Sequence, residues 1–148
     1  VRDLGWDGAG NATLRDSDVI FFNNLYHRSG NIRLTGDNRT GAGDGDDEQI
    51  IVKLNSLSND YQKIVFIVQI YEGIKNNQHF GQVDNAFIRA VDASGKEMVR
   101  FDLSGKGYDQ QRSLLFAELV REINGWKFNA LGQSSASDNF LEWLKEYV

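Results

Sequence analysis

The sequence contains no cysteine and no proline among its 148 residues. Without cysteine, the chain has no disulfide bond, no thiolate nucleophile and no cysteine-ligated zinc. No apolar run approaches the roughly 20 residues of a membrane-spanning helix, so we expect no transmembrane segment. Residues 1–10 also lack the basic end and apolar core of a signal peptide. Together these absences predict a cytoplasmic protein.

The composition is that of an ordinary globular domain. Hydrophobic residues make up 41% of the chain, charged residues 25% and aromatic residues 11%, a balance that excludes intrinsic disorder. Domains commonly contain about 100–150 residues, and the sequence shows neither an internal repeat nor a linker. We therefore predict a single domain over residues 1–148.

The acidity of the chain is concentrated in one short segment. The formal net charge is −5, which argues against nucleic acid as a direct partner. Between Asp37 and Glu48, five acids face one base, Arg39, so that twelve residues carry a charge of −4. The other 136 residues contain sixteen acids and fifteen bases, and are almost neutral. A function for this chain has to account for that segment.

Short runs of β-branched and aromatic residues indicate strands along most of the sequence. The clearest is 63–71, and a turn with Gly95 joins two further runs into a hairpin. The predicted strands are 18–24, 49–54, 63–71, 85–91, 97–103 and 126–130. This pattern predicts an all-β fold, a two-sheet β-sandwich with one or two peripheral helices.

Two segments carry the spacing of an amphipathic helix. Leu115, Leu119 and Ile123 recur every four residues, which predicts a helix over 109–123 that ends at the Asn124-Gly125 turn. A second helix is predicted over about 137–147, with Phe140 and Leu144 on its apolar side.

The acidic segment has the composition of a calcium site. Its glycines allow sharp turns that bring carbonyl oxygens inward, and its side chains are rich in oxygen. Calcium takes 6–8 oxygen ligands in a flexible shell, whereas magnesium prefers a stricter octahedron. Two like charges 4 Å apart repel by ~4 kcal/mol at an effective dielectric constant near 20, and a divalent cation reverses that sign. Side-chain oxygens come from Asp37, Asn38, Thr40, Asp44, Asp46, Asp47 and Glu48.

The spacing of these oxygens differs from that of an EF-hand. Arg39 occupies the third position counted from Asp37, where a ligand is needed, and no closing glutamate follows Asp44 at the twelfth position. A calcium site here needs ligands distant in sequence, and Asn23 and Asn24, at the end of an apolar run, are candidates. The alternative is a solvated acidic loop that binds nothing specific.

No catalytic motif accompanies the acidic segment. The sequence has no Walker motif, no nucleophile elbow and no zinc-protease helix. His27 and His79 are the two histidines, and we expect both to be surface or hydrogen-bonded residues. We predict no catalytic residue and no enzyme. The alternative is a metal-dependent hydrolase acting on a phosphoester, with an acid of the segment as base.

Residues 36–48, GDNRTGAGDGDDE, resemble the signature of the TerD-like family of tellurium-resistance and stress proteins. The likeness extends to LGWD at 4–7, VIFFNN at 19–24, KIVF at 63–66, FGQV at 80–83 and WKF at 126–128, in family order. It covers about the whole chain. One departure is the space between residues 8 and 15, where the family usually has an aspartate-bearing strand.

The resemblance implies a β-sandwich that binds calcium (Ca2+) through the acidic segment. It further implies a cytoplasmic stress-response module, of the tellurite and chemical-stress resistance type, that acts as a binding or scaffold domain. Its partners would be other stress-response proteins and membrane-associated complexes, with the oligomeric state left open. The implied metal ligands are Asn23, Asn24, Asp37, Asn38, Arg39, Thr40, Gly41, Gly43, Asp44, Asp46, Asp47 and Glu48, with carbonyl oxygens from Arg39, Gly41 and Gly43.

Overall fold

The computed structural model describes residues 2–6, 12–13, 18–21, 23–35, 48–82, 86–103 and 106–145. Its regular elements in this part of the chain are nine strands, one short α-helix and three 3-10 helices, at Leu54–Ser56, Phe80–Gln82 and Lys106–Tyr108. The strands are β1 (Arg2–Trp6), β2 (Ala12–Thr13), β3 (Ile32–Leu34), β4 (Ile50–Val52), β5 (Lys63–Gln69), β6 (Phe87–Val91), β7 (Glu97–Asp102), β8 (Ser113–Glu122) and β9 (Gly125–Ser135), and the helix is α1 (Leu141–Leu144). No helix in these ranges has the length and apolar character that crossing a membrane requires.

The largest sheet contains five strands in the order β2-β1-β5-β8-β9. β1 runs antiparallel to β5, with Asp3 opposite Ile64. β5 and β8 also run antiparallel, because the Ile70 N–H donates to the Arg112 carbonyl while the Arg121 N–H donates to the Gln62 carbonyl. Two antiparallel pairs, β3-β4 and β6-β7, form separate two-stranded sheets. The all-β fold class predicted from the sequence is confirmed.

The chain divides into two compact units. The first comprises Val1–Val65, Leu119–Phe128 and Val148, and the second comprises Phe66–Glu118 and Asn129–Tyr147. The prediction of a single domain over 1–148 stays a prediction. In the first unit, fully buried Ile32 and Ile64 belong to an apolar core with Ile20, Leu57 and Tyr61.

The second unit shows the face-to-face packing of a sandwich. One face of β8 and one face of β7 meet where Phe101 contacts Phe116 edge to face, with ring centroids 5.6 Å apart. Gly132 in β9 also lies against the Phe101 ring. Leu114, Leu115 and Ala117 are buried in this unit. Because Gly132 has no side chain, the Phe101 ring on the facing strand β7 can pack directly against the backbone of β9.

The predicted helix over 109–123 is wrong, because most of this segment is strand β8. Residues four apart lie on one side of a helix, but they also lie on one face of a strand, since four is a multiple of two. Nearly every side chain from Ser113 to Leu119 is buried, so both faces are covered and no alternation marks the strand. The β8-β9 hairpin turns at Ile123 and Asn124, and Gly125 begins β9 with φ +146°, so the Asn124-Gly125 pair is not a helix stop.

The predicted strand over 18–24 is also wrong. Phe21 and Asn24 exchange two backbone hydrogen bonds of 3.1 and 2.9 Å, which close a tight turn within the apolar run. The C-terminal helix lies within its predicted range but is only the four residues of α1. Strands β1, β2 and β3 were not predicted, because none of them has a long run of strand-forming residues.

The predicted β6-β7 hairpin is confirmed, and Asp92 organises its turn. The Asp92 carboxylate accepts hydrogen bonds from the Ser94 hydroxyl at 2.6 Å and from the N–H groups of Ser94 and Lys96 at 2.9 and 3.0 Å. These bonds, chiefly the one from the Ser94 side chain, hold the pKa of Asp92 below its ordinary value of 3.8. Gly95 completes the turn with φ +87°.

We expect Gly132→Ala to destabilise the protein by about 2–4 kcal/mol in urea unfolding. Gly132 has φ +66°, and a Cβ there would lie 2.9 Å from Cζ of Phe101, so strain and overlap add. Gly95 has φ +87° but no atom within 4 Å of an added Cβ, so Gly95→Ala introduces backbone strain without steric overlap. It should cost about 1 kcal/mol. Gly107→Ala has neither defect and should change stability by less than about 0.5 kcal/mol. Equal effects at all three glycines would contradict this account.

We expect Asp92→Asn to make the stability of the protein less dependent on pH in the acid range. Because the pKa of Asp92 is lower in the folded chain than in the unfolded chain, its contribution is present above pH 3.8 and is lost as the pH falls through the folded value. Urea unfolding of both proteins from pH 6 down to about pH 2.5 tests this. The difference in unfolding free energy between the two proteins should shrink towards zero at the lowest pH. A difference that stays constant with pH would contradict this role of Asp92.

Candidate functional site

The acidic segment connects the two strands of the β3-β4 hairpin. Leu34 pairs with Ile50, the last ladder pair before the segment. Beyond it, the Thr35 N–H donates to the Gln49 carbonyl at 2.9 Å, and the Gln49 N–H donates to Thr35 Oγ1 at 3.0 Å. The chain therefore leaves the hairpin at Thr35 and returns to it at Gln49, two positions held together by reciprocal hydrogen bonds.

Three of the twelve predicted metal ligands belong to the described residues, namely Asn23, Asn24 and Glu48. Glu48 is exposed and directly precedes Gln49. The other nine lie outside the described residues: Asp37, Asn38, Arg39, Thr40, Gly41, Gly43, Asp44, Asp46 and Asp47. Their role as ligands stays a prediction. Within the described ranges, no group of three or more His, Asp or Glu residues has the placement to hold a metal ion.

Asn24 lies close to the point where the acidic segment begins. The Leu34 N–H donates to the Leu25 carbonyl at 2.8 Å, which aligns the chain at Leu25 with the last residue of β3. Asn24 therefore lies next to the start of the segment in space, although it precedes Thr35 by eleven positions. The Asn24 side-chain amide donates to the Val19 carbonyl at 2.8 Å and is thereby oriented. Asn23 is exposed in the turn before it.

A buried polar network lies under this hairpin. Asp18 and His27 are 1% and 2% exposed, and His27 Nε2 lies 3.2 Å from Asp18 Oδ1. Tyr61, whose hydroxyl lies 3.5 Å from the same oxygen, contacts the His27 ring edge to face. Arg28 donates to the Tyr61 hydroxyl through Nη2 at 2.6 Å and lies 3.4 Å from Asp18. One buried carboxylate is thus satisfied by an imidazole, a phenol and a guanidinium group.

The tautomer of His27 follows from its neighbours. The backbone N–H of Ser29 donates to Nδ1 at 3.2 Å, so Nδ1 is an acceptor and Nε2 carries the proton donated to Asp18. The Ser29 hydroxyl also contacts Nδ1, at 2.6 Å. The expectation of a hydrogen-bonded histidine therefore holds for His27. Sequence reasoning did not find this network, because its members are far apart in the chain and their pairing depends on the fold.

The second histidine lies in the other compact unit. His79 is 6% exposed, and its Nδ1 accepts a hydrogen bond from the Gln110 N–H at 3.2 Å and lies 3.4 Å from Asp109. Gly81 is close to both groups, since a Cβ there would lie 2.7 Å from Asp109 Oδ1. These contacts hold the Asp109-Gln110 turn in place.

The fold and the hairpin define a class of protein, an all-β sandwich-like domain with an acidic connection between two paired strands. A solved structure of similar fold is the crystal structure of the unknown-function protein SAV2460, with a TM-score of 0.72. The likeness covers 94% of this chain and 78% of that protein at 23% sequence identity. At that identity, the comparison establishes the fold alone.

The chain belongs to the TerD domain family, whose model matches residues 7–147. It is 64% identical to the tellurium resistance protein TerX of Serratia marcescens, over 100% of this chain and 70% of TerX. It is 45% identical to the tellurium resistance protein TerD of Serratia marcescens, over 86% of this chain and 67% of that relative. It is 40% identical to the stress response protein SCP2 of Bacillus subtilis, over 88% of this chain and 66% of SCP2. The resemblance to TerD-like proteins found in the sequence is confirmed.

We expect Asp18→Ala to lower the free energy of unfolding by about 3 kcal/mol. The substitution leaves the buried His27 side chain without its acceptor and removes the carboxylate that faces Arg28. Asp60→Ala is the matched control, because Asp60 is an exposed aspartate of the same compact unit, and it should cost less than about 0.5 kcal/mol. Urea unfolding at neutral pH measures both. An Asp18 variant as stable as the Asp60 variant would show that the network contributes nothing.

Proposed function

We propose that this chain is a calcium-binding stress-response module that acts in the cytoplasm as a binding or scaffold domain and not as an enzyme. The observation that carries the proposal is the charge of −4 confined between Thr35 and Gln49, two residues bonded to each other. Membership of a family with relatives named for tellurium resistance and stress response supports the stress role.

The metal part of the proposal follows from electrostatics. Five acids and one base share twelve residues that lie between two adjacent positions of a hairpin, and the mutual repulsion of like charges favours a bound dication over an empty loop. Oxygen donors without sulfur or imidazole suit a hard cation, and a long, glycine-rich segment suits the flexible shell of calcium better than the octahedron of magnesium. The location of Asn24 beside Thr35 supports the proposal that Asn24 adds a ligand distant in sequence.

The binding part of the proposal follows from the chemistry of such an ion. Calcium that keeps an open coordination position can take a carboxylate or phosphate oxygen from a partner. The proposed partners are other stress-response proteins and membrane-associated complexes. Since the chain spans 70% of TerX and 66% of SCP2, the activity of the whole protein is part of the proposal.

We expect chelator-stripped protein to release or take up heat on titration with calcium and to gain thermal stability. Binding to the folded state alone contributes ~2.7 kcal/mol at a free calcium concentration of about 100 times the dissociation constant. Asp44→Ala and Asp46→Ala should each weaken calcium binding, because each removes a carboxylate of the segment. Asp60→Ala removes the same charge from an exposed turn and should leave the affinity unchanged.

The outcome that removes the metal claim is a flat calorimetric titration together with an unchanged melting temperature. The alternative, a metal-dependent phosphoester hydrolase, is tested in the same preparations with generic phosphodiester substrates and each metal. Turnover that needs metal and disappears in Asp46→Ala would replace the scaffold proposal with an enzymatic one.

A further inference from the structure

The β3-β4 hairpin presents an exposed face that carries bases and an aromatic ring. Tyr26 pairs with Arg33, and Arg33 pairs with Ile51, so these three side chains lie on the same face. Lys53 follows Ile51 by two positions and continues the ladder, since its N–H donates to the Asn31 carbonyl at 2.8 Å. We call Tyr26, Arg33, Ile51 and Lys53 the basic face. Ile32, on the opposite side of β3, is fully buried.

Among the described residues, no acid pairs with the bases of this face. Arg33 and Lys53 are exposed, and neither forms an ion pair with any residue that the structure describes. The sequence has no acid between residues 19 and 36 or between 49 and 59. The β6-β7 hairpin differs, because its Arg89 and Arg100 lie 3.3 and 2.9 Å from Glu97 and Asp102. In a chain of net charge −5, this sheet face therefore carries two bases that no described acid neutralises.

We infer that the basic face docks on an anionic phospholipid bilayer. The cations of the basic face lie on a sheet. Such an extended surface matches the planar array of phosphates on a bilayer better than it matches a single small ligand that binds in a pocket. Tyr26 is 64% exposed, and an exposed tyrosine beside basic residues is typical of surfaces that lie at the membrane–water interface. Each base near an anionic bilayer strengthens binding by a factor of about five.

The acidic segment, at one end of the same hairpin, sets the condition under which docking occurs. Without a cation its charge of −4 repels a bilayer of the same sign. This part of the inference rests on the proposed function: bound calcium would offset that charge and would favour contact between the face and the lipid phosphates. The basic face itself does not depend on calcium, so the two parts fail separately.

The experiment measures sedimentation of the full chain with phosphatidylcholine vesicles that either contain or lack phosphatidylglycerol, in calcium and in chelator. We expect binding that needs phosphatidylglycerol, strengthens with calcium and weakens with added salt. Arg33→Gln and Lys53→Gln should each weaken binding about fivefold, and the double variant roughly 30-fold. Lys127→Gln is the matched control, because it removes an exposed lysine from strand β9. Unfolding curves verify that all variants fold.

Several results would overturn the inference. These are equal binding to vesicles without phosphatidylglycerol, absence of binding in calcium at low salt, or the same loss for Lys127→Gln as for Arg33→Gln. Two other occupants of the face are tested in parallel, a single-stranded oligonucleotide and a second copy of the chain. Tighter binding of the oligonucleotide, or self-association abolished by the double variant, would assign the face to that occupant instead.

Failure of the proposed function has a different signature. Calorimetry could detect no calcium binding while phosphatidylglycerol vesicles still bind the wild-type chain more strongly than the double variant. That result would refute the calcium proposal and support the basic face. If calcium binds and the vesicle arm is negative, the basic face is removed and the calcium module stands.

Discussion

The pairing of β3 with β4 is the constraint on which the rest of the functional argument depends. It places Thr35 against Gln49, so that the acidic segment begins and ends at one point. The same register turns Arg33 outward and Ile32 into the core. A shift of one residue would exchange these two side chains, which burial of Ile32 forbids. One backbone register thus determines both where the acidic segment leaves and re-enters the hairpin and which face carries the bases.

The buried network around Asp18 stabilises the chain that flanks this hairpin. A carboxylate inside a protein is costly unless charged or hydrogen-bonded partners surround it, and here His27, Arg28 and Tyr61 fulfil that condition. Arg121 fixes the chain beside Tyr61, because its Nε donates to the Tyr61 carbonyl at 2.8 Å. These polar side chains therefore fix the position of the segment that precedes β3. An apolar core alone would specify that position less precisely.

Sequence patterns predicted much of the fold and the location of the candidate site. β5 and the β6-β7 hairpin were recognisable, because β-branched residues and a Gly95 turn are local signals. The segment over 109–123 was misassigned, because a strand with both faces buried has no alternation and its leucines are spaced by four in either structure. The Asp18–His27 contact left no local pattern, because its two residues meet only through the turn at Phe21 and Asn24.

The amino-acid sequence by itself determined the class of the fold, the family and the concentration of acid between Asp37 and Glu48, since all three depend on composition and local order. Only the tertiary structure decided that Asn24 lies beside Thr35, that Asp18 is the buried hydrogen-bond partner of His27, and that Tyr26, Arg33 and Lys53 share an exposed face. The physical reason is that strand pairing brings together residues whose separation along the chain carries no information about their distance in space.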